Sequence, residues 1–240
     1  MSKQMIVFGA SRGIGAALGR LTPDAGDHVW LVSRSRPAIL DVDDGVDREW
    51  IQADLSTPEA IDTINTTLQN QRLDVVIYNA GIWENKAWST AYDFATSSTE
   101  ENEHIMNVNL LAAMRCLQAT IPNLRQSDNG KIILISSING LPNATQNYVA
   151  YAASKFGLRG VAHALRDDLR KDAIGVTCIN PGSVMTRVSL DKTADEIVDQ
   201  YGTDSMPAHD IAAIAKCVVH LSRAVVIKEI DMPAMGDKNV

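Results

Sequence analysis

Met5-Ile6-Val7-Phe8-Gly9-Ala10-Ser11-Arg12-Gly13-Ile14-Gly15 is a short apolar run that breaks into a glycine-rich turn and enters a stretch with helical spacing, Ile14–Leu21. Apolar residues on both faces describe a strand buried on both sides. A diphosphate needs bare backbone N–H groups at a helix N-terminus, and glycines that let the chain come close. This segment offers both. The spacing is Gly-x-x-x-Gly-x-Gly, and Leu18 stands where the longer Gly-x-Gly-x-x-Gly pattern would continue. A tight structural turn also uses glycine, so the segment alone does not decide. Gly9-Ala10-Ser11-Arg12-Gly13 also fits the Gly-x-Ser-x-Gly elbow of serine hydrolases, with Ser11 as nucleophile and His209 or His220 as base. That elbow follows a middle strand, whereas this one follows the first.

Outward from this turn, apolar runs alternate with helical stretches. Val29–Val32, Glu49–Ile51, Val75–Tyr78, Lys131–Ile135 and Val176–Ile179 read as strands, and Val225–Met232 as the last one. Pro58–Asn70, Glu100–Leu124, Tyr151–Lys171 and Pro207–Leu221 carry helical spacing. The acidic Ser35–Asp47 and Gly140–Asn147 read as loops, and the polar stretch Arg187–Ser205 holds one weak helix. The alternation predicts an α/β fold of Rossmann type: a doubly wound, mostly parallel sheet with helices on both faces. With no repeat, linker or low-complexity segment, residues 1–240 read as a single domain.

Composition limits the function classes. The 240 residues are 45% hydrophobic and 21% charged, which is globular composition. A net charge of −7 argues against a nucleic-acid or anionic-membrane surface. No apolar run is long enough to span a bilayer, and the N-terminus lacks a signal-peptide layout. Cys116, Cys178 and Cys217 are scattered and without metal-ligand spacing, so no metal site or disulfide framework is expected, and a reducing cytoplasm is the simple compartment. Asn65-Thr66-Thr67 and Asn143-Ala144-Thr145 match a glycosylation pattern that would matter only in a secreted chain.

The second strand ends in Ser33-Arg34. An NAD-preferring site places a carboxylate here for the ribose 2′-hydroxyl, whereas a 2′-phosphate calls for arginine. Arg34, 19 residues after Gly15, and Arg12 in the glycine turn point to NADP(H). Tyr151-Ala152-Ala153-Ser154-Lys155 sets a phenol and an ammonium one helical turn apart. Chance gives such a pair in roughly one chain in five of this composition. Its surroundings raise its weight, because the strand Lys131–Ile135 ends in Ser136-Ser137, fourteen residues before Tyr151, and doubly wound sheets place their sites at strand C-termini.

Taken together, these segments resemble the compact branch of the short-chain dehydrogenase/reductase family over nearly the whole chain. The match runs in the family's order through Gly9–Gly15, Asp54-Leu55, Asn79-Ala80-Gly81, Asn109-Leu110, Ser137, Tyr151, Lys155 and Pro181-Gly182-Ser183-Val184-Met185-Thr186. The resemblance implies an NADP(H)-dependent oxidoreductase moving a hydride between nicotinamide and a carbonyl or alcohol. It makes Tyr151 the acid/base, Ser137 the holder of the substrate oxygen and Asn109 the residue that orders a relay water. Lys155 would bind the nicotinamide ribose. The cofactor would lie along Gly9, Ser11, Arg12, Gly13, Ile14, Gly15, Arg34, Asp54, Leu55, Asn79, Ala80 and Gly81. Pro181 and Gly182 would also line the cofactor, and Thr186 with the backbone near Val184 would hold its carboxamide. An ordinary phenol, with pKa about 10, is about 0.1% ionised at neutral pH. Lys155 and an oxidised nicotinamide are expected to lower that value by about three units.

Departures from the family pattern are Phe8 for a threonine, Tyr78 for the first asparagine of Asn-Asn-Ala-Gly, and Lys228-Glu229-Ile230-Asp231-Met232-Pro233 in place of Asp-Gly-Gly. Trp83, Ile138, Asn139, Tyr148 and a lid over Arg187–Ser205 would shape the substrate, and loop packing is an equal reading for Trp83 and Trp88. Ala112, Ala113, Ala152, Ala153, Ala162 and Ala164 put small residues on presumed outer helix faces, and relatives with this layout pair those helices, so a homodimer or homotetramer is expected. The competing reading, a cofactor sensor without chemistry, fits poorly with a chain that keeps Asn109, Ser137, Tyr151 and Lys155 together.

Overall fold

The computed structural model describes residues 2–142 and 147–237. In chain order the elements are β1 (Gln4–Phe8), α1 (Gly13–Leu21), β2 (His28–Ser33), β3 (Asp47–Gln52), α2 (Glu59–Thr67), β4 (Val75–Tyr78), α3 (Thr99–Met106) and α4 (Ala112–Leu124). They continue with β5 (Lys131–Ile135), α5 (Val149–Asp168), β6 (Gly175–Pro181), β7 (Val184–Met185), α6 (Ala194–Tyr201), β8 (Met206–Pro207), α7 (Ala208–His220) and β9 (Glu229–Met232). Seven strands form one sheet in the order β3-β2-β1-β4-β5-β6-β9, and each pairing is parallel. The order reverses between β1 and β4, which opens a crevice at their C-terminal ends.

The pleat explains why the central strands are apolar throughout. Side chains alternate between faces. Met5 and Val7 of β1 join a core with Leu18 of α1 and with Ile211 and Val218 of α7. Ile6 and Phe8 join the opposite core, with Ile64 of α2, Leu117 of α4 and Leu158 of α5. The same division runs through Val75 and Ile77 against Val76 and Tyr78, and through Ile133 and Ile135 against Ile132 and Leu134. A strand in this position has no solvent face to make polar.

Several boundaries differ from the sequence reading. The last strand is Glu229–Met232 rather than Val225–Met232, and Val225 and Val226 are exposed loop residues. Glu100–Leu124 is two helices joined by one π turn, Asn107–Leu111. The stretch from Tyr151 to Lys171 begins earlier, at Val149, and ends as an α-helix at Asp168 before a 3-10 turn. Helix α6 within 187–205 is better defined than its composition suggests, because Thr193 and Glu196 form a reciprocal capping box. Ala112, Ala113 and Ala162 are fully buried beneath their helices rather than on outer faces, while Leu111, Met114 and Phe156 are the large apolar residues exposed there. Asn143-Ala144-Thr145 lies outside the described residues. Among the described residues no helix is long and apolar enough to cross a membrane, and no cluster of ligands could hold a metal. The three cysteines are free, and burial pushes the Cys116 and Cys178 thiols up to about 12.

Candidate functional site

The glycine turn is shaped by contact with the next βα turn. Gly9 and Gly13 have positive φ, 79° and 57°, which a side chain would oppose. A Cβ on Gly9 would sit 2.7 Å from the Ala80 Cα, and one on Gly15 only 1.9 Å from the Gly9 carbonyl oxygen. Asn79 Nδ2 donates to that same oxygen at 3.0 Å, locking the two turns together. Arg12 is the N-cap of α1 but its side chain gives no cap, and the first turn holds no acidic residue. The helix start therefore keeps its N–H groups and its positive end for an incoming anion. Thr186 lies against this turn, since a Cβ on Gly13 would be 3.0 Å from the Thr186 Cβ. A groove of about 420 Å³ runs beside it, lined by Ser11, Arg12, Gly13, Met185, Thr186 and residues 187–191.

Arg12 and Arg34 are exposed, and neither guanidinium enters an ion pair among the described residues. Arg36, by contrast, is tied to Asp41 by two bonds of 2.7 and 2.8 Å. Asp54 accepts from the Ser56 N–H and hydroxyl at 3.0 and 2.8 Å. Partial burial pushes its carboxyl upward, but those bonds and the nearby Arg34 charge outweigh it and hold the group below the usual range.

The reacting end sits where β5 stops. Ser137 caps the 3-10 turn Ile138–Gly140 by accepting from the Asn139 N–H at 3.2 Å, and its hydroxyl is a polar neighbour of the Tyr151 phenol that favours the ionised form. Lys155, one turn along α5, is buried, donates to the Ile135 carbonyl at 3.0 Å and places Nζ 5.5 Å from the Tyr151 ring centre. Burial lowers its pKa to about 8. Burial raises the Tyr151 phenol to about 12, with the Ser137 hydrogen bond opposing and the Glu84 charge adding. Lys155 points its ammonium at a backbone carbonyl, so desolvation of the phenolate dominates; the lowering expected from the sequence belongs to Lys155 acting together with an oxidised nicotinamide. A phenol so placed keeps its proton through neutral pH.

Asn109 lies in the π turn between α3 and α4, a distortion that often marks functional sites. Its Oδ1 accepts from the Ile82 N–H at 2.8 Å, and its Nδ2 donates to the Ile82 carbonyl at 2.8 Å and to Ser154 Oγ at 3.0 Å. Both amide protons are thus spent, so the side chain acts first as a clamp on the segment after Gly81. Tyr78, the departure from the family's asparagine, donates from its hydroxyl to the Val108 carbonyl in that π turn at 2.7 Å.

Of the residues expected to shape the substrate, Trp83 is half exposed and stands edge-on to Tyr151 with ring centres 5.9 Å apart. Tyr148 instead turns inward, accepting from the Trp88 N–H at 2.7 Å. Asn139 is buried. Sequence reasoning missed Glu84, a carboxylate 1% exposed that accepts from the Ala150 and Tyr151 N–H groups. An acid two residues beyond Gly81-Ile82 carries no motif that would have marked it. Neither His209 nor His220 hydrogen-bonds Ser11: His209 has no ring partner among the described residues and His220 pairs with Asp24 at 3.0 Å. The nucleophile elbow therefore has no base. A larger cavity, about 510 Å³, lies at the opposite, N-terminal ends of β5 and β6, away from these groups.

Comparison with known proteins bears on the family and the fold. A protein of Acinetobacter baylyi named as a fatty acyl-CoA reductase is 32% identical over 184 residues, 74% of this chain, which spans 61% of that relative's length. The 3-oxoacyl-[acyl-carrier-protein] reductase MabA of Mycobacterium tuberculosis is 26% identical over 219 residues, covering 90% of this chain and 82% of its own. Among solved structures, a metagenomic short-chain oxidoreductase in complex with NADP superposes with a TM-score of 0.78 at 28% identity, over 97% of each chain. The sequence profile of the short chain dehydrogenases matches residues 3–197, and the chain belongs to that family of oxidoreductases.

Proposed function

We propose that this protein is an NADP(H)-dependent reductase or dehydrogenase acting on a carbonyl or alcohol, with Tyr151 as its general acid and base. The carrying observation is the cluster at the end of β5, where the Ser137 hydroxyl neighbours the Tyr151 phenol and the buried Lys155 ammonium lies 5.5 Å from its ring centre. The cofactor fits the residues present. The uncapped start of α1 and its glycines suit a diphosphate, the unpaired Arg12 and Arg34 suit a 2′-phosphate, and a neighbour at 28% identity was solved with NADP. Asp54 and Leu55 would meet the adenine, Asn79 to Gly81 with Pro181 and Gly182 would line the path, and Thr186 with the backbone near Val184 would hold the carboxamide.

When bound, the reduced nicotinamide supplies the hydride. In that direction Ser137 Oγ holds the substrate oxygen by a hydrogen bond. Tyr151 gives its proton to that oxygen as the carbonyl carbon receives the hydride, and the alcohol leaves. Lys155 would bind the nicotinamide ribose while its charge stabilises the phenolate that remains. The proton then returns to Tyr151 from solvent, and a water near the Asn109 turn is part of this reading. Residues 187–205 act as a lid, and 1–240 as one domain. We further read the chain as cytoplasmic and as a homodimer or homotetramer, with Leu111, Met114 and Phe156 as the apolar face between copies. Absorbance at 340 nm with NADPH and a panel of aldehydes and ketones tests the reaction. Oxidation of NADPH with any of them supports it, and release of p-nitrophenol from esters with no change at 340 nm contradicts it.

A further inference from the structure

Helix α5, which carries Tyr151 and Lys155, provides no cap for its own first turn. Tyr148 at the N-cap makes no side-chain bond to it, and no acidic residue lies within that turn. Three consecutive N–H groups are satisfied from outside instead. Val149 N donates to Tyr92 Oη at 3.1 Å, and Ala150 N and Tyr151 N both donate to Glu84 Oε1, at 3.0 and 3.2 Å. Both acceptors belong to the segment that follows Gly81, and the segment is tied back again through the Trp88 N–H to Tyr148 Oη bond.

Glu84 carries out this task at a cost. It is 1% exposed, enters no ion pair, and its Oε2 is buried without a hydrogen-bond partner among the described residues. Burying a carboxylate without a cation is unfavourable, and only the positive end of α5 offsets it. A neutral acceptor, such as the Tyr92 hydroxyl next door, would cap the turn without that cost. A full charge at this place therefore has a use beyond capping, and one of the two backbone N–H groups it binds belongs to Tyr151, the residue that carries the phenol.

We propose that Glu84 is a positioning residue for the reaction: it fixes Tyr151 through the backbone and, by its charge, holds the phenol's proton in place so that Tyr151 stands ready as an acid. This inference rests on Tyr151 being the acid/base. The groups that act on the phenol are Ser137 from the end of β5, Lys155 from α5 itself, and, from the segment after β4, the neutral Trp83 ring and Glu84, which holds the Tyr151 backbone N–H. Among them Glu84 is the one negative charge, and it adds to the upward shift that burial begins.

The test reads the phenol directly rather than through turnover. Protein labelled at tyrosine 13Cζ is titrated by NMR with NADP+ bound, and the Tyr151 resonance is assigned by its loss in Tyr151→Phe. Glu84→Gln keeps the shape and removes the charge, so the midpoint should fall by roughly half a unit or more. The acidic limb of the pH profile for alcohol oxidation should move with it. Tyr92→Phe removes the neighbouring cap without altering charge and should leave the midpoint where it was. Glu84→Asp keeps the charge on a shorter stem; it should melt lower yet keep the midpoint raised, and it serves if the glutamine variant does not fold. An unchanged midpoint in Glu84→Gln, an equal fall in Tyr92→Phe, or a fall in Glu84→Asp as large as that expected from losing the charge would each reduce Glu84 to a structural cap and overturn the proposal. Failure of the underlying reading shows up separately, as retained turnover in Tyr151→Phe.

Discussion

Replacing Asn109 with alanine should cost about 3 kcal/mol of stability. The side chain makes three hydrogen bonds, two to the Ile82 backbone and one to Ser154 Oγ, and Asn109 itself is fully buried. Each bond contributes about 1 kcal/mol net, and a buried group left unpaired costs about 1–3. Ser154 keeps one bond, its hydroxyl donating to the Tyr151 carbonyl at 2.6 Å, and Ile82 is near enough to the surface for water to recover part of its loss. For a chain of this size the melting temperature falls roughly 2–4 °C per kcal/mol, so the variant should melt about 6–12 °C below wild type. Asn109→Asp should be worse, because it removes both amide donors, sets a carboxylate oxygen against the Ile82 carbonyl and buries a charge. Thermal unfolding of the cofactor-free protein, followed by circular dichroism at pH 7, measures both. If Asn109→Ala melts within about 2 °C of wild type, or if Asp is tolerated better than Ala, the clamp is not what Asn109 provides.

Arg34→Asp should remove or invert the preference for NADPH over NADH; a charge-assisted contact of about 1.5–3 kcal/mol corresponds to roughly ten- to a hundredfold in affinity, and fluorescence titration with both cofactors measures it. Gly15→Ala should lower both stability and NADPH affinity, because its Cβ would overlap the Gly9 oxygen and disturb the Asn79 bond to it; overpacking of this kind costs about 1–3 kcal/mol or more. Lys155→Met should lose turnover without losing stability at pH 7. The folded lysine's pKa of about 8 lies below its ordinary 10.5, so the charged form carries a cost that is absent above pH 10.5 and grows as pH falls toward 8, reaching about 3 kcal/mol at neutral pH, which matches or exceeds what its bond to Ile135 contributes. Wild-type melting temperatures should accordingly gain on those of Lys155→Met between pH 8 and 10, and a parallel course of the two curves would contradict the assignment.

The doubly wound sheet and the glycine turn were legible because each rests on a local rule. Continuous apolar runs such as Val75–Tyr78 have one structural meaning once helical stretches alternate with them, and Gly9 and Gly13 need their positive φ whatever surrounds them. Ser137, Tyr151 and Lys155 were legible from their order and from the strand end that precedes them. What stayed hidden depends on contacts far apart in sequence. The Glu84 cap joins residues 66 and 67 positions apart, and Tyr78 finds its partner 30 residues on. The π turn at Asn107–Leu111 leaves no periodicity signal because it is a single extra residue in an otherwise helical run. Where the Lys155 ammonium points was hidden for a related reason: spacing gives the distance along a helix, whereas its direction is decided by the Ile135 carbonyl of another element.

Tyr151→Phe tests the central claim most directly, with NADPH affinity and turnover measured on the same preparation. The substitution keeps the ring against Trp83 and removes only the hydroxyl. General acid catalysis contributes about 10²–10⁴-fold, so turnover should fall at least a hundredfold while the NADPH dissociation constant stays near that of wild type. A variant that retains most of its reductase activity would make Tyr151 a packing residue and contradict the account.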